Sequence, residues 1–292
     1  MNDNNYIPKH ASFKDMKKFY VKDNKKKKNR MLYMIISLIF IITFLLSGYK
    51  ILLWHMDNKK TDKSVDRIND IVVVDQIEDN DNMSLISEED DKNNPYWYYI
   101  KFPLIDVNIN KLKDINKDTV GWLNVNNTNI NYPFVKTSNN DYYLNHSFDK
   151  SYNEAGWIFL DYRNDKSLSD RNNIIYAHSR LDKTMFGSLS KVLKSSWYSN
   201  KDNHIIRVSL ENENSLWQIF SVYKIKEESY YITTYFKDDK SYISFLDKLK
   251  SRSLYDFKTN LNKDDKILTL STCYSDTERT VVHARLIKKS SK

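Results

Sequence analysis

The chain predicts a mainly β outer domain, a small closed barrel or a sandwich with a few peripheral helices, set behind a single N-terminal membrane-crossing helix. Three observations carry this expectation. One long uncharged apolar run lies near the N-terminus, eight short β-prone runs follow residue 95, and turn residues separate most of those runs.

The apolar run extends from Met31 to Tyr49, 19 residues without a charge. A helix needs about 20 residues to cross about 30 Å of hydrocarbon. Lys50 can snorkel to the interface, and Ile51 to Trp54 extend the run, with Trp54 suited to the headgroup layer. The span is therefore placed at 31–54. Lys25 to Lys28 and Arg30 flank it, which puts the tail 1–30 in the cytoplasm and the rest outside. A cleaved signal peptide is the competing reading. Its apolar core is about 7–15 residues and ends at a small-residue site; here the run is longer and no such site follows.

The 292 residues carry a net charge of +8, but it is unevenly placed. Residues 1–30 hold ten Lys/Arg against three Asp/Glu, whereas the remaining 262 hold 36 against 35. A nucleic-acid surface needs its basic face on the folded domain, so no nucleic-acid partner is expected. Residues 55–94 are polar and acidic at Glu88 to Asp91, and read as an extracellular stalk. The run Ile71 to Val74 within 65–77 suggests a short docking helix.

The outer domain, 95–292, offers strands at 121–125, 130–135, 157–160, 173–178, 205–210, 216–226, 266–272 and 280–288, most of them rich in Val, Ile, Tyr, Phe or Trp. Helix is expected over 108–117, for about one turn at 140–145, and over 240–251. In the last of these Tyr242, Ile243, Phe245, Leu246 and Leu249 form one broad apolar face.

Cys273 is the only cysteine. Thiols outside the cell usually pair into disulfides, and a solitary one is either inert and buried or reactive. Its setting favours reactivity. Ile267 to Leu270 reads as a buried strand, Cys273 sits at its end, and polar residues 274–278 follow. A thiol of ordinary pKa, near 8.5, needs a base or a cation to become a useful nucleophile. His178 closes the strand 173–178 and Arg279 opens the strand 280–288, so all three residues sit at strand edges beside loops. The six histidines show no paired-His or Cys-His spacing, so neither metal nor cofactor is expected.

Thr269-Leu270-Ser271-Thr272-Cys273 resembles the TLxTC signature of sortases. The segment 173–178 followed by Met185-Phe186-Gly187-Ser188-Leu189 is similar to the histidine segment of the class B sortases of Gram-positive bacteria. Arg279 to Arg285 resembles the arginine-led last strand of that family. Gly121-Trp122-Leu123, Asn131 to Phe134 and Asp141 to Leu144 also match class B segments.

The resemblance implies an eight-stranded sortase-like barrel, with the 240–251 helix between its sixth and seventh strands. It implies a cysteine transpeptidase that cleaves a C-terminal sorting signal of secreted proteins after Thr, through a thioacyl intermediate, and passes the protein to a peptidoglycan amine. Cys273 would be the nucleophile, His178 the general acid and base, and Arg279 the oxyanion donor, with the backbone N–H of Tyr274 as a second donor. Tyr176, Ser271 and Thr272 would line the substrate groove.

The sequence departs from the family in two places. Only six positions separate Cys273 from Arg279, and Ala177 stands where a glycine often precedes the histidine. A pilin-polymerising enzyme and a catalytically impaired membrane-tethered binding module are the alternatives. Arg285, six positions beyond Arg279 on the same strand face, competes for the arginine role. His283 reads as structural, His146 and His204 as packing or surface residues, and His10 and His55 lie outside the domain.

Overall fold

The structure is a computed structural model and describes residues 12–78, 83–86, 94–226, 228–273 and 278–292. The chain divides into two units, Met1–Met56 and Asp57–Lys292. The described part of the first unit is helical, within helix α1 (Phe13–Ile71). The side chains of residues 31–54 are exposed throughout. The helix is long and apolar enough there to cross a membrane.

In the second unit α1 continues to Ile71, longer than the short helix expected within 65–77. The consecutive β-branched Val72, Val73 and Val74 leave the helix, as residues stiff at χ1 tend to. Thr61, Ile68 and Val72 are buried, so part of the stretch read as stalk is built into the domain. Strand β1 (Asp75–Ile77) pairs with β3 (Leu104–Asp106), and β2 (Met83–Leu85) pairs with the last strand. Helix α2 (Tyr96–Tyr99) lies between β2 and β3. Helix α3 (Ile109–Lys113) is capped by the Asn108 side chain, and the helix expected to reach 117 stops short of it. Asn116 ends that stretch by donating to Tyr143 Oη and to the Phe148 carbonyl, each at 2.7 Å.

The eight expected strands all form: β4 (Thr119–Val125), β5 (Asn131–Val135), β6 (Phe159–Leu160), β7 (Asn172–His178), β8 (Ile205–Leu210), β9 (Glu213–Lys226), β10 (Ile267–Cys273) and β11 (Glu278–Ser291). Their order is β10-β7-β6-β5-β4-β8-β9-β11, and β10 also pairs with β11, which closes the barrel. Two neighbours run parallel, β5 with β6 and β7 with β10; the other pairs are antiparallel. Strand β2 adds to β11 outside the ring. The turn expected at 140–145 is a single 3-10 turn, Tyr142–Leu144. Helix α4 (Ser195–Tyr198) is equally short.

Trp122, Phe134, Trp157, Ile175, Leu270 and Val282 belong to one core cluster of buried side chains. A second cluster forms under α5 (Asp239–Ser251), whose Tyr242, Phe245, Leu246 and Leu249 pack on Phe220, Tyr223, Ile267 and Val281. A reciprocal cap between Asp238 and Ser241 starts α5. The helix thus covers parts of β9, β10 and β11, the last two being the strands that carry the solitary cysteine and the leading arginine.

Trp122 is fully buried and donates to Asn131 Oδ1 at 2.8 Å. Trp122→Ala is expected to destabilise the fold by about 3–5 kcal/mol, read as a lower urea midpoint of the detergent-solubilised chain.

Candidate active site

The site starts from the position of β10 between β7 and β11. The parallel ladder with β7 pairs Ser271 with Tyr176, Thr272 with Ala177 and Cys273 with His178. The antiparallel ladder with β11 runs from Ile267 opposite Arg285 to Ser271 opposite Val281. Continued by two residues in the same register, it sets Cys273 opposite Arg279. Neighbouring strands lie about 4.8 Å apart, so the backbone of His178 flanks Cys273 at about one strand spacing, whereas the ladder to β11 ends at Ser271 opposite Val281. His178, nearly a hundred residues earlier in the chain, is thereby brought beside the end of β10, and Arg279 lies at the start of the adjacent β11.

Thr272 reinforces this end, because its Oγ1 accepts from the Thr280 backbone N–H at 2.9 Å. It is a bond between the last turn of β10 and the first of β11, and it supports the pairing where the ladder itself stops. Tyr274 lies outside the described residues.

His178 is half-buried, and its orientation is fixed. Nε2 lies 2.7 Å from the Leu144 carbonyl oxygen. A carbonyl can only accept, so Nε2 is the donor in this bond. The His178 carbonyl accepts from Phe186 N–H at 3.0 Å, anchoring the strand end. Gly156 lies against the ring at φ +62°, a backbone conformation that favours glycine. A Cβ there would come within 2.6 Å of the Tyr143 carbonyl and 3.0 Å of His178 Cδ2.

The expected groove residues are buried and engaged within the protein. Tyr176 donates to Asp161 Oδ2 at 3.0 Å. Ser271 Oγ lies 3.0 Å from Tyr231 Oη. Asp161 has no exposed side-chain surface. Burial pushes its pKa up, but hydrogen bonds from the Arg163 side chain and backbone and from Tyr176 outweigh this and hold it below the usual carboxylate range. Leu144, Gly156, Asp161, Arg163 and Tyr231 were not singled out from sequence. The one available signal was Gly156, since a chain with four glycines spends each of them sparingly.

The competitors lie elsewhere. Arg285 is paired with Ile267 at the opposite end of β10. It is buried, donating from Nε to Gln218 Oε1 at 3.2 Å and from Nη1 to the Asn260 carbonyl at 2.6 Å. His283 is buried with Nδ1 2.8 Å from Thr269 Oγ1 and Nε2 2.8 Å from Tyr223 Oη. His204 is held between Tyr99 Oη and the Tyr198 carbonyl, each at 2.8 Å. His146 stacks on Tyr142. Among the described residues no His/Cys/Asp/Glu group has the arrangement of a metal site.

The sortase domain family matches residues 123–287, which span the barrel from β4 to β11. The chain is 32% identical over 262 residues to sortase B of Staphylococcus aureus, covering 88% of this chain and 97% of that protein. It is also 32% identical over 256 residues to sortase B of Listeria monocytogenes, covering 86% and 93%. The chain belongs to the class B sortases. A solved structure from Bacillus anthracis, described as similar to sortase B, superposes with a TM-score of 0.63 at 33% identity over 80% of this chain and 97% of that one. Sortases are cysteine transpeptidases, and the eight-stranded barrel expected from the resemblance is the one observed.

Two outcomes follow from this sortase's geometry. Gly156→Ala is expected to destabilise the domain by about 2 kcal/mol or more in urea unfolding, since an L side chain in that region costs about 1–2 kcal/mol before any overlap. It should also lower kcat/KM about tenfold by displacing the His178 ring. The second outcome concerns acid. Burial lowers the pKa of His204 to about 4 and of His283 to about 3. Both stay neutral in the fold while their unfolded counterparts protonate below about 6.5, so the unfolded chain binds more protons and stability falls as pH falls. From pH 7 to pH 5 each is expected to cost about 2 kcal/mol in urea unfolding. His204→Gln should remove about half of that drop.

Proposed function

We propose that this sortase cleaves a C-terminal sorting signal of secreted proteins after Thr and transfers the protein to a peptidoglycan amine, with Cys273, His178 and Arg279 as its catalytic residues. The pairing of Cys273 with His178 carries this reading, and the β10–β11 register supports it, since extending that register by two residues would bring Arg279 opposite Cys273. The Cys273 thiolate attacks the Thr carbonyl carbon, and the carbonyl π electrons move to oxygen. The Arg279 guanidinium, always charged and rich in donors, stabilises that oxyanion. The Tyr274 backbone N–H is the proposed second donor.

Protonated His178 gives its Nδ1 proton to the leaving amine as the C–N bond breaks, leaving a thioester. The incoming amine attacks the thioester, His178 takes up a proton from it, and the thiolate is expelled. The Leu144 carbonyl holds the Nε2 proton, so a single nitrogen serves both steps. Tyr176 and Ser271 shape the groove through Asp161 and Tyr231, and Thr272 ties the strand ends that hold the cysteine.

The chain is organised, in this proposal, as a cytoplasmic tail over 1–30, a single membrane span over 31–54, and a catalytic domain outside the cell. The basic run before the span and the exposed apolar helix support that topology.

The test is a fluorogenic peptide library with Thr fixed before the scissile bond, with the acyl-enzyme captured by mass spectrometry. The intact chain is expected to yield a thioester on Cys273, rapid labelling of that thiol by a methanethiosulfonate reagent, and turnover. Cys273→Ala should abolish turnover with an unchanged melting curve, and Arg279→Met should lower kcat about 10²–10³-fold. Full residual cleavage in Cys273→Ala ends the proposal.

A further inference from the structure

The segment between β9 and α5 lies beside the proposed site, and two polar groups from outside it hold it there. Its 3-10 turn, Tyr230–Ile232, places Tyr231 Oη 3.0 Å from Ser271 Oγ. Ser271 shares a face of β10 with Cys273, two positions on. The first tether comes from within the barrel. Asn172 Nδ2 on β7 donates to the carbonyls of Tyr231 at 3.2 Å and Thr233 at 2.9 Å.

The second tether comes from the turn after β6. Arg163 Nη2 donates to the Ile232 carbonyl at 3.0 Å. The same guanidinium is clamped on Asp161, through Nε to Oδ1 at 2.8 Å and Nη2 to Oδ2 at 2.7 Å. Asp161 Oδ1 also accepts from the Arg163 backbone N–H at 2.9 Å, and Oδ2 accepts from Tyr176 Oη at 3.0 Å and Asn140 Nδ2 at 3.2 Å. A fully buried carboxylate with that many donors is held in one place, and a guanidinium forked on it has little freedom left. Tyr176, in turn, is two residues before His178 on the same strand face.

The chain of contacts therefore runs from the histidine strand, through Tyr176, Asp161 and Arg163, to Ile232 and Tyr231, and back through Ser271 to the cysteine strand. We propose that Arg163 is a positioning residue: by latching the 230–233 segment to Asp161, it sets how Tyr231 sits against Ser271 on the cysteine strand and so governs peptide binding. The proposal rests on the transpeptidase reading for the identity of the peptide. The latch itself rests on the hydrogen bonds alone.

Two variants separate this role from a merely structural one. Arg163→Met keeps the apolar stem and removes every side-chain donor, and Arg163→Lys keeps the charge but loses the fork. In the full detergent-solubilised chain, hydrogen exchange of the amides in 230–236 is expected to quicken about tenfold in Arg163→Met, with β7 and β10 unchanged. The probe for binding is the Thr peptide captured from the library above. Its KM should rise about tenfold with kcat within about threefold, and Arg163→Lys should fall between the two.

Unchanged KM, with or without faster exchange, overturns the proposal. So does exchange that quickens over the whole barrel together with a lower melting temperature. If the library yields no acyl-enzyme, the transpeptidase reading fails. The latch is then judged by exchange alone, and unchanged exchange in 230–236 overturns it.

Discussion

Strand β10 has one neighbour from the middle of the barrel's sequence and one that directly follows it, and its pairing with both is what the rest of the molecule depends on. It meets β7 in parallel and β11 in antiparallel register. The first pairing crosses nearly a hundred residues of chain, and the second closes the ring. A one-residue slip in either ladder would turn a whole set of side chains to the other face. Burial prevents that slip. Leu268 and Leu270 lie in the main core, whereas Ile267 packs under α5. The same alternation that fills two cores fixes which residues share the face of Cys273. Packing and site geometry are in this sense one constraint.

Most of the barrel was legible because its strands are short, β-branched and aromatic, and because one cysteine stood alone. Each of the eight runs read from composition forms a strand, and the apolar face of Tyr242, Phe245, Leu246 and Leu249 forms α5. What escaped has a common cause. Strands β1, β2 and β3 are three residues each and lie on partners far away in sequence, too short for any period to register. The helical stretch after residue 56 looked like polar stalk because only Thr61 and Ile68 of it are buried, a stripe too thin to stand out.

The site divides along similar lines. His178, Cys273 and Arg279 could be chosen by residue type and by position at strand ends. The groups that hold His178 and its strand could not. The partner of His178 Nε2 is the backbone carbonyl of Leu144, and a carbonyl leaves no trace in the identity of its residue. Asp161 and Arg163 look like ordinary turn residues until folding removes the carboxylate from water. Burial converts an unremarkable pair into a fixed one, because a buried carboxylate without its donors would be far costlier than the bonds are worth.

The same reasoning separates Arg279 from Arg285, which sequence phase alone could not do. Both lie on one face of β11, six residues apart, about 20 Å along an extended strand. Arg285 is buried and committed to Gln218 and the Asn260 carbonyl, and His283 between them has both ring nitrogens within hydrogen-bond distance of hydroxyls. A cation or imidazole so engaged stabilises the barrel because it has no freedom to serve a changing charge. Arg279 sits at the strand's start, only partly buried, beyond the last pair of the ladder to β10. Position along the strand, more than residue type, is what separates the arginine proposed for chemistry from the one built into the core.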